Sequence, residues 1–210
     1  MPLLLQENVR ANTMLWVWKV EEGESFFMNQ LSLSSHELSR LNSYTHAPRR
    51  LEWLASRLLV KLGLGENGQV KYTDDGKPLL VGVDGHISIS HSHALVGLLF
   101  STKNSVGLDI ERVSSRPAKI TRRFMQEQEV ALLENDIRGA AITRAWCSKE
   151  ALFKVLGKNC YTFKEDFVLA EKLFANSTST TFFVRPFNGN QLVSFLDVED
   201  YCIAYSVMHS

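Results

Sequence analysis

Cysteine is scarce in this chain of 210 residues: Cys147, Cys160 and Cys202 are an odd number, and none falls in a C-x-x-C pair. Such usage suggests neither a disulfide framework nor a metal knuckle, and it fits a reducing compartment. Net charge is missing too, with 23 Lys and Arg against 23 Asp and Glu, so no bulk positive field holds the chain to nucleic acid or a membrane surface. No apolar run reaches the ~18 residues a membrane span needs. The N-terminal stretch MPLLLQENVR has three leucines and no basic start, too little for a secretory leader. The expectation is a cytoplasmic protein with no nucleic-acid or membrane partner. Its 45% hydrophobic residues suffice for a core that needs no disulfides.

What is present is an ordered series of elements. MLWVWKV (14–20) reads as a strand. Ser34 or Ser35 is a fitting N-cap for LSSHELSRLNSY, and Pro48 opens a longer amphipathic helix, RRLEWLASRLLVKLG, closed by Gly63. Short extended pieces follow: QVKYT and LLV around a DDGKP turn, then ISIS and ALVGLLFS flanking HSH. From about residue 105 the order restarts with strand-like SVGLDIERV, helical PAKITRRFMQEQEVALLEN and a long helix, ITRAWCSKEALFKVLG, ending at Gly157. TTFFVRPF, QLVSFLDV and YCIAYSVM close the chain as strands. Trp53 and Trp146 lie 93 residues apart, each in the long helix of its half and each followed eight residues later by a lysine, Lys61 or Lys154. The expected fold is α+β, a pseudo-twofold duplication of two similar α/β subdomains, each a small, mostly antiparallel sheet packed on a long helix. The subdomains are expected at 1–103 and 104–210, with the ligand cleft between them and a monomer as the simplest state.

Two groups of residues could carry chemistry. In V-G-L-D-I-E-R, Asp109 and Glu111 are two apart on a strand and share a face. Paired carboxylates repel unless a cation or a raised pKa relieves them. Trp146, Glu150 and Lys154 recur at i, i+4 and i+8 along one helical stripe. If that stripe faces the strand, Glu150 completes three hard oxygen ligands suited to Mg²⁺. The plainer alternative makes Glu150 and Lys154 an ordinary helical ion pair and D-I-E a solvated strand face. In the first half, Lys77 and Pro78 lie in the 74–78 turn, Ser90 and His91 sit where two strands meet, and Arg49, Arg50 and Arg57 line the long helix. Cations, hydroxyls and imidazoles at turns suit a phosphate-rich ligand. The alternative is a solvated lysine and a structural histidine, which is how His93 reads.

Taken in order, G-K-P, S-H-S, G-L-D-I-E and W-C-S-K-E-A-L-F-K, spread over residues 76–154, resemble the Sfp-type 4′-phosphopantetheinyl transferases, in the subgroup with K-E-A rather than K-E-S. The resemblance implies two α+β halves and transfer of phosphopantetheine from coenzyme A, the co-substrate, to a serine of an apo acyl or peptidyl carrier protein. By position it implies Asp109, Glu111 and Glu150 as ligands of Mg²⁺ or Mn²⁺. It implies Glu150 as base and Lys154 as partner of the transferring phosphate. Lys77, Pro78, Ser90 and His91 become coenzyme A contacts, together with one arginine for which Arg49, Arg50 and Arg57 compete. Between Arg112 and Arg123 stand five basic residues, Arg112, Arg116, Lys119, Arg122 and Arg123, and no acid. Carriers of this class are acidic around the modified serine, so the run is a candidate docking surface, with a solvated face as the alternative. The carrier's pathway stays open among fatty-acid, polyketide and peptide synthesis. A catalytically silent carrier-binding or coenzyme A-binding protein is the second reading. A nucleotide phosphotransferase is disfavoured, because G-L-G-E-N-G lacks the lysine and serine of a phosphate-binding loop.

Overall fold

The computed structural model describes residues 3–66, 68–74, 76–157 and 161–208. Asp75 of the DDGKP turn and Cys160 lie outside them. The chain divides into two compact units, Met1–Thr102 and Lys103–Ser210.

The first unit contains β1 (Leu3–Arg10), β2 (Thr13–Lys19), α1 (Glu24–Gln30), α2 (Ser35–Ser43), α3 (Ala47–Leu64), β3 (Gln69–Tyr72), β4 (Pro78–Val81), β5 (His86–Ser92) and β6 (Leu95–Ser101). Its main sheet is antiparallel in the order β1-β2-β6-β5, and β3 and β4 form a separate hairpin. Ser34 starts α2 with a reciprocal capping box: its Oγ accepts from the Glu37 amide, and Glu37 Oε2 accepts from the Ser34 amide at 3.0 Å. Helix α3 lays Leu54, Leu58 and Leu59 against Trp16, Trp18 and Leu98 of the sheet. It does not end at Gly63. The helix runs to Leu64 and stops at Gly65, whose φ of 78° only glycine adopts without strain. Gly63 is small for a packing reason, since a Cβ there would meet the Trp16 ring at 3.0 Å. Strand β1 escaped the sequence reading because a half-exposed edge strand carries no buried stripe.

The second unit contains β7 (Ser105–Arg112), α4 (Thr121–Phe124), α5 (Glu127–Val130), α6 (Ala140–Leu156), α7 (Phe163–Asp166), β8 (Phe167–Leu169), β9 (Ser179–Val184), β10 (Gly189–Val198) and β11 (Tyr201–Met208). Its sheet runs β7-β11-β10-β9-β8. The wiring repeats that of the first unit: the leading strand pairs antiparallel with the last, and the last pairs with its own hairpin partner. The two triplets are β2-β6-β5 and β7-β11-β10, each with a long helix, α3 or α6, between its first and second members in sequence. The architecture is thus mixed α+β with antiparallel sheets.

The continuous helix expected over 117–135 is absent. A 3₁₀ turn at Pro117–Ile120 leads into one-turn α4, Met125 is extended, and one-turn α5 restarts under a Gln126 capping box. The break frees the Phe124 carbonyl, which a continuing helix would have used internally. Lys149 takes it instead. Among the described residues no helix is long and apolar enough to cross a membrane. Cys147 and Cys202 are buried free thiols.

Helix α6 approaches its sheet closely because the facing residues are small. Ala145, Cys147 and Ala151 are buried against Cys202 and Ala204 of β11. Gly107 of β7 is the tightest point: a Cβ there would stand 2.0 Å from the Ala151 carbonyl oxygen and 2.7 Å from a Val155 methyl. Gly107→Ala is therefore expected to cost about 3 kcal/mol, the upper end for overpacking, read as a lowered urea midpoint. At the other end of α6, Asp136 accepts from the Ala140 and Ala141 amides at 2.8 and 3.0 Å. Burial opposes its ionisation, but these and neighbouring backbone amides hold its pKa below the ordinary value. Asp136→Ala should cost about 1 kcal/mol. Because the folded pKa is depressed, that contribution should be present above the ordinary carboxylate range and vanish as pH falls through the lowered value, which a pH series of midpoints for both proteins checks.

Candidate active site

Strand β7 and helix α6 run antiparallel to one another, and their side chains interlock in that order. Gly107 faces Ala151 and Val155. Two residues on, buried Asp109 receives the Lys154 ammonium on Oδ1 at 2.7 Å, and the same ammonium donates to the Leu108 carbonyl at 2.9 Å. Two residues further, Glu111 Oε1 accepts the Trp146 indole N–H at 3.1 Å. Glu150 sits on the stripe between Trp146 and Lys154.

Its electrostatics ties the three carboxylates together. Burial is the largest cause lifting the Glu150 pKa to about 7; Asp109 and Glu111 also raise it, and Lys154 opposes them. A carboxyl poised near neutrality can accept a proton from a substrate hydroxyl and release it again. Among the described residues, however, no group of three or more His, Cys, Asp or Glu side chains is arranged to hold a metal ion. Lys154 and the Trp146 indole hold one oxygen each of Asp109 and Glu111. The donor chemistry still fits a hard divalent cation, since three mutually repelling carboxylates are what such an ion relieves.

Lys149, next to Glu150, went unassigned in the sequence. It is fully buried beside Glu129, its Nζ 2.7 Å from Glu129 Oε1. Burial pulls the Lys149 pKa down, and Glu129 counters it. The one available sign was a lysine placed four residues after Ala145 and three before Leu152, on the buried face of α6.

The first unit gathers a second group. His91 Nδ1 lies 3.1 Å from Glu52 Oε2, and Arg49 Nη1 contacts both His91 Nε2 and Glu52 Oε2. With Arg49 donating to Nε2, the ring proton belongs on Nδ1, facing Glu52. Arg50 is committed elsewhere, to Glu24 at 2.6 and 2.8 Å and to the Leu41 carbonyl. Arg57 is buried, donates to the Tyr72 hydroxyl at 2.7 Å and lies over the Trp53 ring. The Lys77 amide donates to Thr73 Oγ1, Pro78 begins β4 opposite Tyr72, and Ser90 is buried in β5 opposite Gly97. Of the basic run, Arg112 pairs with Asp200 at 2.5 Å. Arg116, Lys119, Arg122 and Arg123 are exposed, on a turn and one-turn helix rather than on one long helical face.

Comparison with known proteins adds the following. Residues 105–206, nearly all of the second unit, match the family model described as the 4′-phosphopantetheinyl transferase superfamily. The chain is 29% identical over 160 residues to the 4′-phosphopantetheinyl transferase gsp of Aneurinibacillus migulanus, covering 70% of this chain and 67% of that protein. It is 30% identical over 119 residues to the 4′-phosphopantetheinyl transferase AcpT of Salmonella typhi, and equally to that of Salmonella typhimurium, covering 54% of this chain. The match spans 62% of the AcpT length, less than two thirds.

Removing the cation beside Glu150 should expose the repulsion that it offsets. In metal-free protein, Lys154→Met is expected to move the Glu150 titration above about 7, read by carboxyl carbon NMR. A titration that stayed in place or fell would contradict the coupling. Lys149→Ala should cost about 3–5 kcal/mol by leaving the Glu129 charge buried and uncompensated, read as a lowered denaturation midpoint.

Proposed function

Because residues 105–206 match the 4′-phosphopantetheinyl transferase superfamily, we propose that the chain is a member and transfers the 4′-phosphopantetheine arm of coenzyme A to a serine hydroxyl of an apo carrier protein. The serine Oγ forms a bond to the pantetheine-side phosphorus, the pyrophosphate bond breaks, and adenosine 3′,5′-bisphosphate leaves. The observation that carries the reading is the interlock that sets the Trp146–Glu150–Lys154 stripe against Asp109 and Glu111, where burial above all lifts the Glu150 pKa to about 7.

Glu150 takes the serine proton. Lys154, one helical turn along, offsets charge on the transferring phosphate and can return a proton to the leaving group, once its hold on Asp109 is loosened. Asp109, Glu111 and Glu150 are the residues that would hold Mg²⁺ or Mn²⁺, which would supply neutralisation of the pyrophosphate and polarisation of the phosphorus. Lys77, Ser90 and His91 meet coenzyme A phosphates. Among the three arginines Arg49 is the best suited to join them, since it stands beside His91 with its side chain 45% exposed, whereas Arg50 is bound to Glu24 and Arg57 is buried. Arg116, Lys119, Arg122 and Arg123 offer an acidic carrier four exposed cations. Arg112 serves less well, being paired to Asp200. A cytoplasmic, monomeric enzyme is the corresponding cellular picture.

Incubation with coenzyme A, Mg²⁺ and apo carrier should add one phosphopantetheinyl unit to the carrier's intact mass. The gain should vanish with Asp109→Ala or Glu150→Ala. No gain on fatty-acid, polyketide or peptide carriers would favour a silent binding protein instead. Arg116→Glu with Arg122→Glu should raise KM for carrier severalfold and leave KM for coenzyme A unchanged; an equal loss for both would reject docking at this segment.

A further inference from the structure

Every N–H of the Lys149 ammonium is committed: to Glu129 Oε1 at 2.7 Å, to the Phe124 carbonyl at 2.7 Å and to the Phe163 carbonyl at 3.0 Å. Glu129 in turn accepts from the Gln126 amide at 2.7 Å and the Leu169 amide at 2.9 Å. One buried ion pair thereby ties α4, α5, α7 and β8 to the turn of α6 that bears Glu150. Stability alone is a poor account of such a pair, because well-packed apolar side chains commonly do as well. The choice of carbonyls is informative. Phe124 and Phe163 are the residues whose rings flank Trp146, with centroids at 5.1 Å edge-on and 5.7 Å tilted. The Trp146 indole is what holds Glu111.

We propose that the buried Lys149–Glu129 pair is a positioning element for the carboxylate site. By gripping the backbone of Phe124 and Phe163 it fixes the ring clamp on Trp146, and through the indole N–H it fixes the carboxylate of Glu111. Lys149 and Glu129 touch no reacting atom in this scheme; they act through three aromatic residues. The proposal rests on the transferase reading only for what Glu111 is for.

The test uses Lys149→Met/Glu129→Gln, which removes both charges together and leaves an amide oxygen to accept one of the freed backbone N–H groups. Glu129→Asp, which keeps the charge and shortens the reach, serves as a second variant should the double one fail to fold. Two readouts apply to folded, full-length protein. The first is the Trp146 indole N–H resonance in metal-free protein, assigned by its loss in Trp146→Phe. It should move toward the position it takes in Glu111→Gln. The second is Mn²⁺ affinity in the presence of coenzyme A, from the free-ion paramagnetic signal. It should fall roughly 10-fold, as when a group that orients a metal ligand is removed. Adding Trp146→Phe should weaken Mn²⁺ little further, since both changes cut one chain of contacts. An unmoved indole resonance with unchanged Mn²⁺ affinity, or fully additive losses, would overturn the proposal. The indole readout stands apart from the reaction, so wild-type protein that modifies no carrier would sink the transferase reading without deciding this one.

Discussion

The contact between Gly107 and the backbone of α6 is the constraint on which the second unit depends. With a Cβ at that position the helix would have to withdraw from the strand, and each pairing beyond it would lengthen together. Lys154 reaches Asp109, and Trp146 reaches Glu111, because the helix lies at glycine distance from β7 rather than at the usual spacing. Ala145, Cys147 and Ala151 extend the same close approach over nearly two turns of α6. The charged site is thus a product of packing. Its carboxylates are forced together by van der Waals contacts that involve no charge at all.

That enforced proximity has an electrostatic consequence. Three carboxylates gathered by packing repel one another, and Glu150 yields: its own burial, with Asp109 and Glu111 adding to it and Lys154 opposing, lifts its pKa to about 7. Lys154 and the Trp146 indole N–H give a partial solution, holding one oxygen each of Asp109 and Glu111. A divalent cation and a polyphosphate would relieve the same repulsion more completely.

Much of this was legible in the sequence. The alternation in V-G-L-D-I-E-R put Asp109 and Glu111 on one face, and the four-residue spacing of Trp146, Glu150 and Lys154 put those three on one stripe. Such patterns survive because each depends on local geometry alone. The broken helix at 117–135 did not show, because its cause is a long-range demand: Lys149 needs the Phe124 carbonyl, and no local periodicity records that. Gly63 misled for a similar reason, as its smallness serves Trp16 across the core rather than the helix end. The competition among Arg49, Arg50 and Arg57 could be weighed only once their partners were known.

On the proposed function, the α6-on-β7 interlock would build one cation site from Asp109, Glu111 and Glu150. The most direct measurement is anomalous scattering from crystals grown with Mn²⁺ and coenzyme A. A single manganese peak beside the carboxylates of all three is expected, with Lys154 no longer on Asp109. A peak elsewhere, or none with coenzyme A bound, would contradict it.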